Sequence, residues 1–251
     1  MEYISVNLNN SDFCDMLKTH IENKTPLSMT RFGDGEVKFM NRNLPHNLKS
    51  KFCDGWGYKM SNYKEGEDLV VDILTRSLKN TDVLGFMDLN NDVCRSLKCK
   101  PNTWSLPLSK LKEINRDKEL LVCDHQISRS NELGNILNLK KILNGNDIHI
   151  VSPRTENIKR KKIDKILDCN VYYTQINFNS KMKDREKMFE RVDEIKENII
   201  IESLGLLGKD VPHYLASKGK ICLDFGATID AWCGVNSRPW FKGLQKHLLI
   251  K

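Results

Sequence analysis

One feature of this 251-residue sequence constrains its fold more than any other: short apolar runs of strand length recur between longer stretches with the apolar period of helices. The runs are LSMTRF (Leu27 to Phe32), DVLGFMD (Asp82 to Asp88), ELLVCD (Glu119 to Asp124), DIHIVSP (Asp147 to Pro153), NVYYTQI (Asn170 to Ile176), IIIESL (Ile199 to Leu204) and KICLDFG (Lys220 to Gly226). Ahead of them, Ser11 reads as an N-cap before Phe13, Leu17 and Ile21 at helical spacing, and Pro26 ends that segment. Leu69, Val70, Ile73, Leu74 and Leu78 share a helical face, and Asn131 to Leu143, Glu156 to Leu167, Lys181 to Lys196 and Lys209 to Lys218 have helical character. Strands alternating with helices build βαβ units with right-handed crossovers. The expected fold is therefore α/β and Rossmann-like, a mostly parallel sheet with helices on both faces.

No linker rich in Pro, Gly or Ser divides the chain and no period of 20–50 residues repeats, so a single domain over 1–251 is expected. MEYISVNLNNSDF at the start has no basic stretch followed by an apolar one, so it does not read as a leader. Runs such as ENIIIESLGLLG fall short of the roughly 20 apolar residues that span a bilayer. The eight cysteines (Cys14, Cys53, Cys94, Cys99, Cys123, Cys169, Cys222 and Cys233) are scattered without zinc spacing and read as buried free thiols. Together these features point to a soluble protein in a reducing cytoplasm.

The formal charge is +7, and KRKK (Lys159 to Lys162) is its densest run, read as one face of a surface helix. A positive field also attracts phosphate-bearing substrates, anionic membrane surfaces and nucleic acid, and charge alone does not choose among them. Asn43 to Gly66 has no clear period and reads as a long loop that closes over a site, with Trp56 and Tyr58 covering a sugar or a base, or packing into the core.

In open α/β sheets, ligands bind beyond the C-terminal ends of the strands. That rule selects Gly33 to Glu36, Asp88, Asp124 and His125, Ser152 to Arg154, Gly205, and Gly226 to Asp230. RFGDGE (Arg31 to Glu36) is the most informative. Gly33 and Gly35 flank Asp34, so the backbone turns tightly, and EVKFMNR then starts a helix. Asp34 and Glu36 offer two carboxylates suited to a hard divalent cation, Mg²⁺ or Mn²⁺, bridging to substrate phosphates. Arg31 would neutralise a phosphate or orient Asp34. The alternative is a plain turn whose acids favour the helix macrodipole.

A strand ending in RFGDGE near the N-terminus resembles the bacterial glycosyltransferase family with the GT-D fold, formerly a domain of unknown function. That family uses a D-x-E motif to hold the divalent metal that binds the diphosphate of a UDP-sugar, and the resemblance carries this role to Asp34, Gly35 and Glu36. A second resemblance is the text from Ile199 to Asp230: a strand, a Ser-Leu-Gly turn (Ser203 to Gly205), a helix, and a strand ending Asp-x-Gly before an acidic position. Ser203 and Gly205 would place free helix amides for phosphate, or form a plain strand-to-helix turn. Where the family often has a histidine after the final Asp-x-Gly, this chain has Ala227 and Thr228, so that histidine's role does not transfer.

Asp124, His125 and Asp230 are candidates for the general base toward an acceptor hydroxyl; for Asp124 and His125 the competing reading is a solvated strand end. Arg154 in SPRT would contact phosphate or follow a helix cap, and Arg238 beside Trp240 would hold phosphate or stack on a ring. The resemblance implies a metal-dependent glycosyltransferase that moves a sugar from a nucleotide sugar, a UDP-sugar, to a hydroxyl of a glycan, glycoprotein or glycolipid acceptor. Peripheral contact with a membrane stays open, and nucleic acid is not an expected partner. Two alternatives stand beside this reading. KICLDFGATID superficially resembles the cofactor loop of an S-adenosylmethionine methyltransferase, although only 25 residues follow Gly226. The charge and KRKK motivate a nucleic-acid-binding module, which no aromatic-basic motif supports.

Overall fold

A computed structural model of the chain describes residues 2–40, 63–88, 105–114, 116–160, 162–176, 182–235 and 248. Trp56, Tyr58, Arg238 and Trp240 lie outside the described residues, as does most of the loop expected over 43–66. Its last four residues are already helical.

The expected apolar runs form seven strands: β1 (Leu27–Arg31), β2 (Val83–Phe86), β3 (Leu121–Asp124), β4 (Ile148–Ser152), β5 (Val171–Gln175), β6 (Ile199–Glu202) and β7 (Ile221–Asp224). They make one sheet in the order β3-β2-β1-β7-β6-β4-β5, and every pairing is parallel. Ile199 and Ile201 pack on one face, and Ile200 between them packs on the other. An apolar residue on both sides of the pleat is what a strand covered on two faces requires.

On the first face lie α1 (Asn10–Asn23), α5 (Ile136–Leu143), α6 (Thr155–Arg160), α7 (Ile163–Leu167) and α10 (Ala227–Trp232), which pack around Phe13, Leu139, Ile158, Leu167 and Trp232. The second face is covered at one end by α2 (Asp34–Met40), α3 (Tyr63–Asn80) and α4 (Leu108–Ile114), and at the other by α8 (Met182–Asp193) and α9 (Val211–Ala216). The chain steps outward from β1 through β2 to β3, then crosses to the far side and returns inward to β7. Its two halves meet between β1 and β7, and all seven strands end on the same edge.

Several local expectations are corrected. Asn9, not Ser11, caps α1: its side chain accepts from the Asp12 N–H at 3.0 Å, two residues earlier than the apolar spacing suggested. The helix expected over Glu156 to Leu167 is two helices, because Lys162 adopts a left-handed conformation (φ 51°). KRKK therefore straddles a break rather than forming one helix face. The helix α4 falls in a stretch assigned no element from periodicity. Among the described cysteines, Cys14, Cys123 and Cys222 are buried and Cys169 and Cys233 partly so, all as free thiols.

Candidate active site

Strand β1 delivers its last residue to the centre of the sheet's C-terminal edge. Gly33 follows, and α2 begins at once with Asp34, so Asp34 and Glu36 sit in a helical first turn rather than in a separate tight turn. The reason is local: the Gly33 N–H donates to Glu36 Oε2 at 3.0 Å and the Val37 N–H to the Gly33 carbonyl at 3.0 Å, closing a cap from both sides. Glu36 is buried and Asp34 half-buried, and Gly35 lies between them in the same turn. A Cβ on Gly33 would stand 3.1 Å from Glu36 Oε2 and 3.3 Å from His125 Nε2. A side chain at position 33 would therefore press on both groups, which would have to give by a few tenths of an ångström.

Behind this turn lies a buried charge cluster. Arg31, 3% exposed, turns its guanidinium along the strand ends: Nε donates to the Asp224 carbonyl at 2.7 Å, one terminal nitrogen to Asp224 Oδ1 at 3.2 Å, and the other to the His125 carbonyl at 3.4 Å. Lys209 Nζ donates to Asp224 Oδ2 at 2.5 Å and to the Arg31 carbonyl at 2.7 Å, and lies 3.5 Å from Glu36 Oε1. Burial pushes the Asp224 carboxyl up, but Lys209 and Arg31 outweigh it and hold the group at about 2. Burial likewise acts to lower the Lys209 ammonium, and the Asp224 and Glu36 carboxylates raise it in net. Glu202, paired in register with Asp224, is pushed well above the ordinary range by burial and then by the Asp224 charge. Its Oε2 accepts the Leu204 N–H at 2.6 Å, while Oε1 is buried without a hydrogen-bond partner among the described residues.

Strand β3 contributes Asp124 and His125. Both are buried, so neither is the solvated strand end that was the competing reading. The His125 N–H donates to the Phe86 carbonyl at 2.7 Å, and Asp124 Oδ1 accepts the N–H groups of Gln126 at 3.0 Å and Asp88 at 3.3 Å. Asp124 thus ties the ends of β2 and β3 together. Gln126 Nε2 is 3.1 Å from His125 Nδ1, and Arg129 donates to Gln126 Oε1 at 3.1 Å.

Across the β1–β7 boundary, Arg154 and Asp230 meet: Arg154 Nε lies 2.5 Å from Asp230 Oδ1, with the two side chains 40% and 18% exposed. The Arg154 N–H also donates to Ser152 Oγ at 3.1 Å, the cap reading of SPRT. Ser203 Oγ donates to the Gly226 carbonyl at 3.0 Å. Gly205, at φ 63°, leads into a three-residue 3₁₀ turn, Leu206–Gly208, whose leucines are buried, and α9 starts only at Val211. The helix expected to follow Ser203 to Gly205 directly is displaced by this turn.

The residues brought together are Arg31, Gly33, Asp34, Gly35, Glu36, Asp124 and His125 on one side of the boundary, with Arg154, Ser203, Gly205 and Asp230 around the ends of β4, β6 and β7. Arg31 bridges the two groups. Lys209, Glu202, Gln126 and Arg129 were not anticipated. Acids closing the apolar runs IIIE and CLD were the available signal for Glu202 and Asp224; Lys209 carried none, since it arrives from a turn distant in sequence.

Among the described residues, no group of three or more His, Cys, Asp or Glu side chains gathers as metal ligands would. A divalent ion shared with a diphosphate needs only one or two protein carboxylates, since phosphate oxygens and water complete its shell. Asp34 and Glu36 offer that oxygen chemistry. Glu36, although it accepts one N–H and faces one ammonium, retains lone pairs, so this donor set fits a shared ion.

A parallel seven-stranded sheet with an acidic helix start at its central crevice places the chain in the class of Rossmann-like α/β folds. Within that class, residues 8–232 match the GT-D fold-like domain, and the chain belongs to that family. Solved structures agree on the fold. One described as having a distinct glycosyltransferase fold, that of the highly conserved domain of unknown function 1792, superposes with TM-score 0.59 at 18% identity, covering 95% of this chain and 82% of its own. A second, described as a new glycosyltransferase of that domain from Streptococcus sanguinis, gives TM-score 0.55 at 19% identity over 95% and 85%. No curated protein matches this sequence significantly.

Proposed function

We propose that this GT-D family member, acting as one domain over 1–251, transfers a sugar from a nucleotide sugar, a UDP-sugar, to a hydroxyl of a glycan, glycoprotein or glycolipid acceptor on the cytoplasmic side. The observation that carries the reading is the Gly33 to Glu36 turn: two carboxylates in the first turn of a helix, at the centre of the sheet's ligand-binding edge. Asp34 and Glu36 would hold Mn²⁺ or Mg²⁺, which when bound offsets the negative charge that grows on the leaving diphosphate.

The remaining work falls to the chain's own groups. Arg31 and Lys209 are spent on Asp224 and Glu36, so they fix the position of the acidic turn rather than reach a phosphate. Arg154, half open to solvent, is the cation we assign to the diphosphate or the acceptor, and Ser203 and Gly205 shape the crevice floor beside it. In an inverting transfer the bond from the anomeric carbon to the diphosphate breaks with its electron pair leaving on the phosphate oxygen. The acceptor oxygen bonds to the carbon, and its proton passes to a base. Asp230 suits that task, because it stands in the first turn of α10 beside Arg154 and is partly open; Asp124 already uses one oxygen to brace β2 against β3.

The test is calorimetric titration of UDP with Mn²⁺ into the wild type, Asp34→Ala and Glu36→Ala. Loss of metal-dependent binding in both variants, with unchanged circular dichroism, is the expected result. Unchanged affinity in both would remove these residues as ligands.

A further inference from the structure

Arg154 and Asp230 meet across a strand that contributes neither of them. The sheet runs β7-β6-β4 in this region, and all three strands end on the same edge. Arg154 follows β4 and Asp230 stands in the first turn of α10, after β7. Their contact, Nε to Oδ1 at 2.5 Å, therefore spans the end of β6. With neighbouring strands about 4.8 Å apart, the two anchoring segments straddle roughly 10 Å. Between them lies the turn that begins at Ser203, whose N–H donates to the Val151 carbonyl of β4 at 2.9 Å and whose Oγ donates to the Gly226 carbonyl at 3.0 Å. The ion pair is a strap across this part of the crevice.

The backbone at both ends of the strap is anchored, whereas the side chains are not. The Arg154 N–H donates to Ser152 Oγ at 3.1 Å, and the Arg154 carbonyl accepts the N–H groups of Asn157 at 3.0 Å and Ile158 at 3.2 Å. The Asp230 carbonyl accepts the Val235 N–H at 2.8 Å, and Ile229 and Ala231 on either side are buried. Among the described residues, each side chain of the pair has only the other as a polar partner, and that of Arg154 is 40% exposed. Arg31 and Lys209 are built the other way, buried and held by Asp224 together with backbone carbonyls. A partly exposed pair contributes little stability. A diphosphate offers the same guanidinium two oxygens at once, the stronger bidentate contact.

We propose that the donor opens this strap: its diphosphate takes Arg154 from Asp230, and Asp230 is thereby released to the acceptor hydroxyl. This rests on the glycosyltransferase reading above, and it commits Arg154 to the diphosphate rather than to the acceptor. While the site is empty, Arg154 occupies an oxygen of the base and the pair spans the end of β6. Once the donor is bound, both oxygens of Asp230 are available. The strap therefore orders the reaction, donor first and acceptor second.

Competition for one guanidinium has a signature that general electrostatics lacks. Calorimetric titration of UDP with Mg²⁺ into wild type, Asp230→Asn, Arg154→Ala and the double variant reads it as a double-mutant cycle. Asp230→Asn frees Arg154 at the outset and should tighten UDP about two- to fivefold, the strength of a partly exposed pair. Arg154→Ala should weaken UDP on the order of ten- to a hundredfold, as loss of a charge-assisted contact does. In the Arg154→Ala background the gain from Asp230→Asn should vanish, because no guanidinium remains to be freed. Arginine-labelled protein gives a direct view in ¹H–¹⁵N spectra: the Arg154 Nε–H signal, assigned by its absence in Arg154→Ala, should shift when UDP and Mg²⁺ are added.

Unchanged or weaker UDP binding by Asp230→Asn would overturn the proposal, since the pair would then not be withholding Arg154. A gain that persists undiminished in the Arg154→Ala background would overturn it too, because simple repulsion between Asp230 and the diphosphate explains that result. An Arg154 Nε–H signal unmoved by bound UDP would refute it as well. In each of these cases UDP binds and the glycosyltransferase reading stands, whereas a wild type that binds no UDP with metal removes that reading and the strap's role with it.

Discussion

Replacing Lys209 with methionine removes the one ammonium that touches Asp224 Oδ2 at 2.5 Å and approaches Glu36 at 3.5 Å. The Asp224 carboxyl, held at about 2 against an ordinary value of 3.8, draws roughly 2 kcal/mol from its surroundings at neutral pH by linkage. The mutational cost should exceed that figure. Linkage measures a net balance, whereas the variant leaves a buried charge half compensated, for which about 3–5 kcal/mol is typical. In a protein of this size that corresponds to a fall in Tm of roughly 6–20 °C. Urea denaturation of wild type, Lys209→Met, Asp224→Asn and the double variant forms the assay. The double variant should be less destabilised than the sum of the singles, since the orphaned charge is gone. A loss below about 1 kcal/mol for Lys209→Met, or strict additivity, would refute the view that these groups form one buried cluster.

Two further perturbations probe the same cluster. Gly226 has φ 45°, and a Cβ there would stand 2.1 Å from a terminal nitrogen of Arg31, whereas Gly145, at φ 78°, has open space around that position. Gly226→Ala should therefore cost about 3 kcal/mol or more by displacing the Arg31 pair, and Gly145→Ala only about 1–2 kcal/mol of backbone strain; equal thermal shifts would contradict this. The acids titrate with opposite signs. Asp224 is depressed, so its stabilisation is present above the unfolded carboxylate value and is lost as pH falls toward about 2. Glu202 is raised, so its contribution is complete at acid pH and is lost as pH climbs above the unfolded value, where the unfolded chain ionises first. Glu202→Gln should flatten that decline and leave the protein at least as stable at neutral pH, as chemical denaturation across pH would show.

Much of the fold was legible because parallel strands buried on both faces are continuous apolar runs, and all seven were placed within two residues of their observed ends. Helix starts were less legible. Asn9 and Ser11 are both good caps, and the Gly33–Glu36 bond that draws Asp34 into α2 depends on a backbone geometry that periodicity does not report. At the site, the motif Asp34-Gly35-Glu36 and the strand-end pair Asp124-His125 were readable from position alone. The ammonium of Lys209 and the Gln126–Arg129 relay were not, because each acts through atoms brought together by the sheet rather than by sequence spacing. Arg31 shows the same limit in reverse: its place at a strand end invited a phosphate, and its side chain is instead consumed by Asp224 and the His125 carbonyl.

Metal-dependent recognition of a nucleotide sugar at the acidic turn is what separates the proposed activity from its alternatives. A thermal-shift panel of nucleotide sugars, free nucleotides and S-adenosylmethionine, each with Mn²⁺ and with EDTA, tests it most directly, since a ligand selective for the folded state raises its melting temperature. Stabilisation by one nucleoside diphosphate and its sugar, with metal present and not with EDTA, is the expected result. Stabilisation by S-adenosylmethionine regardless of metal, or no response to any nucleotide with Mn²⁺, would contradict it.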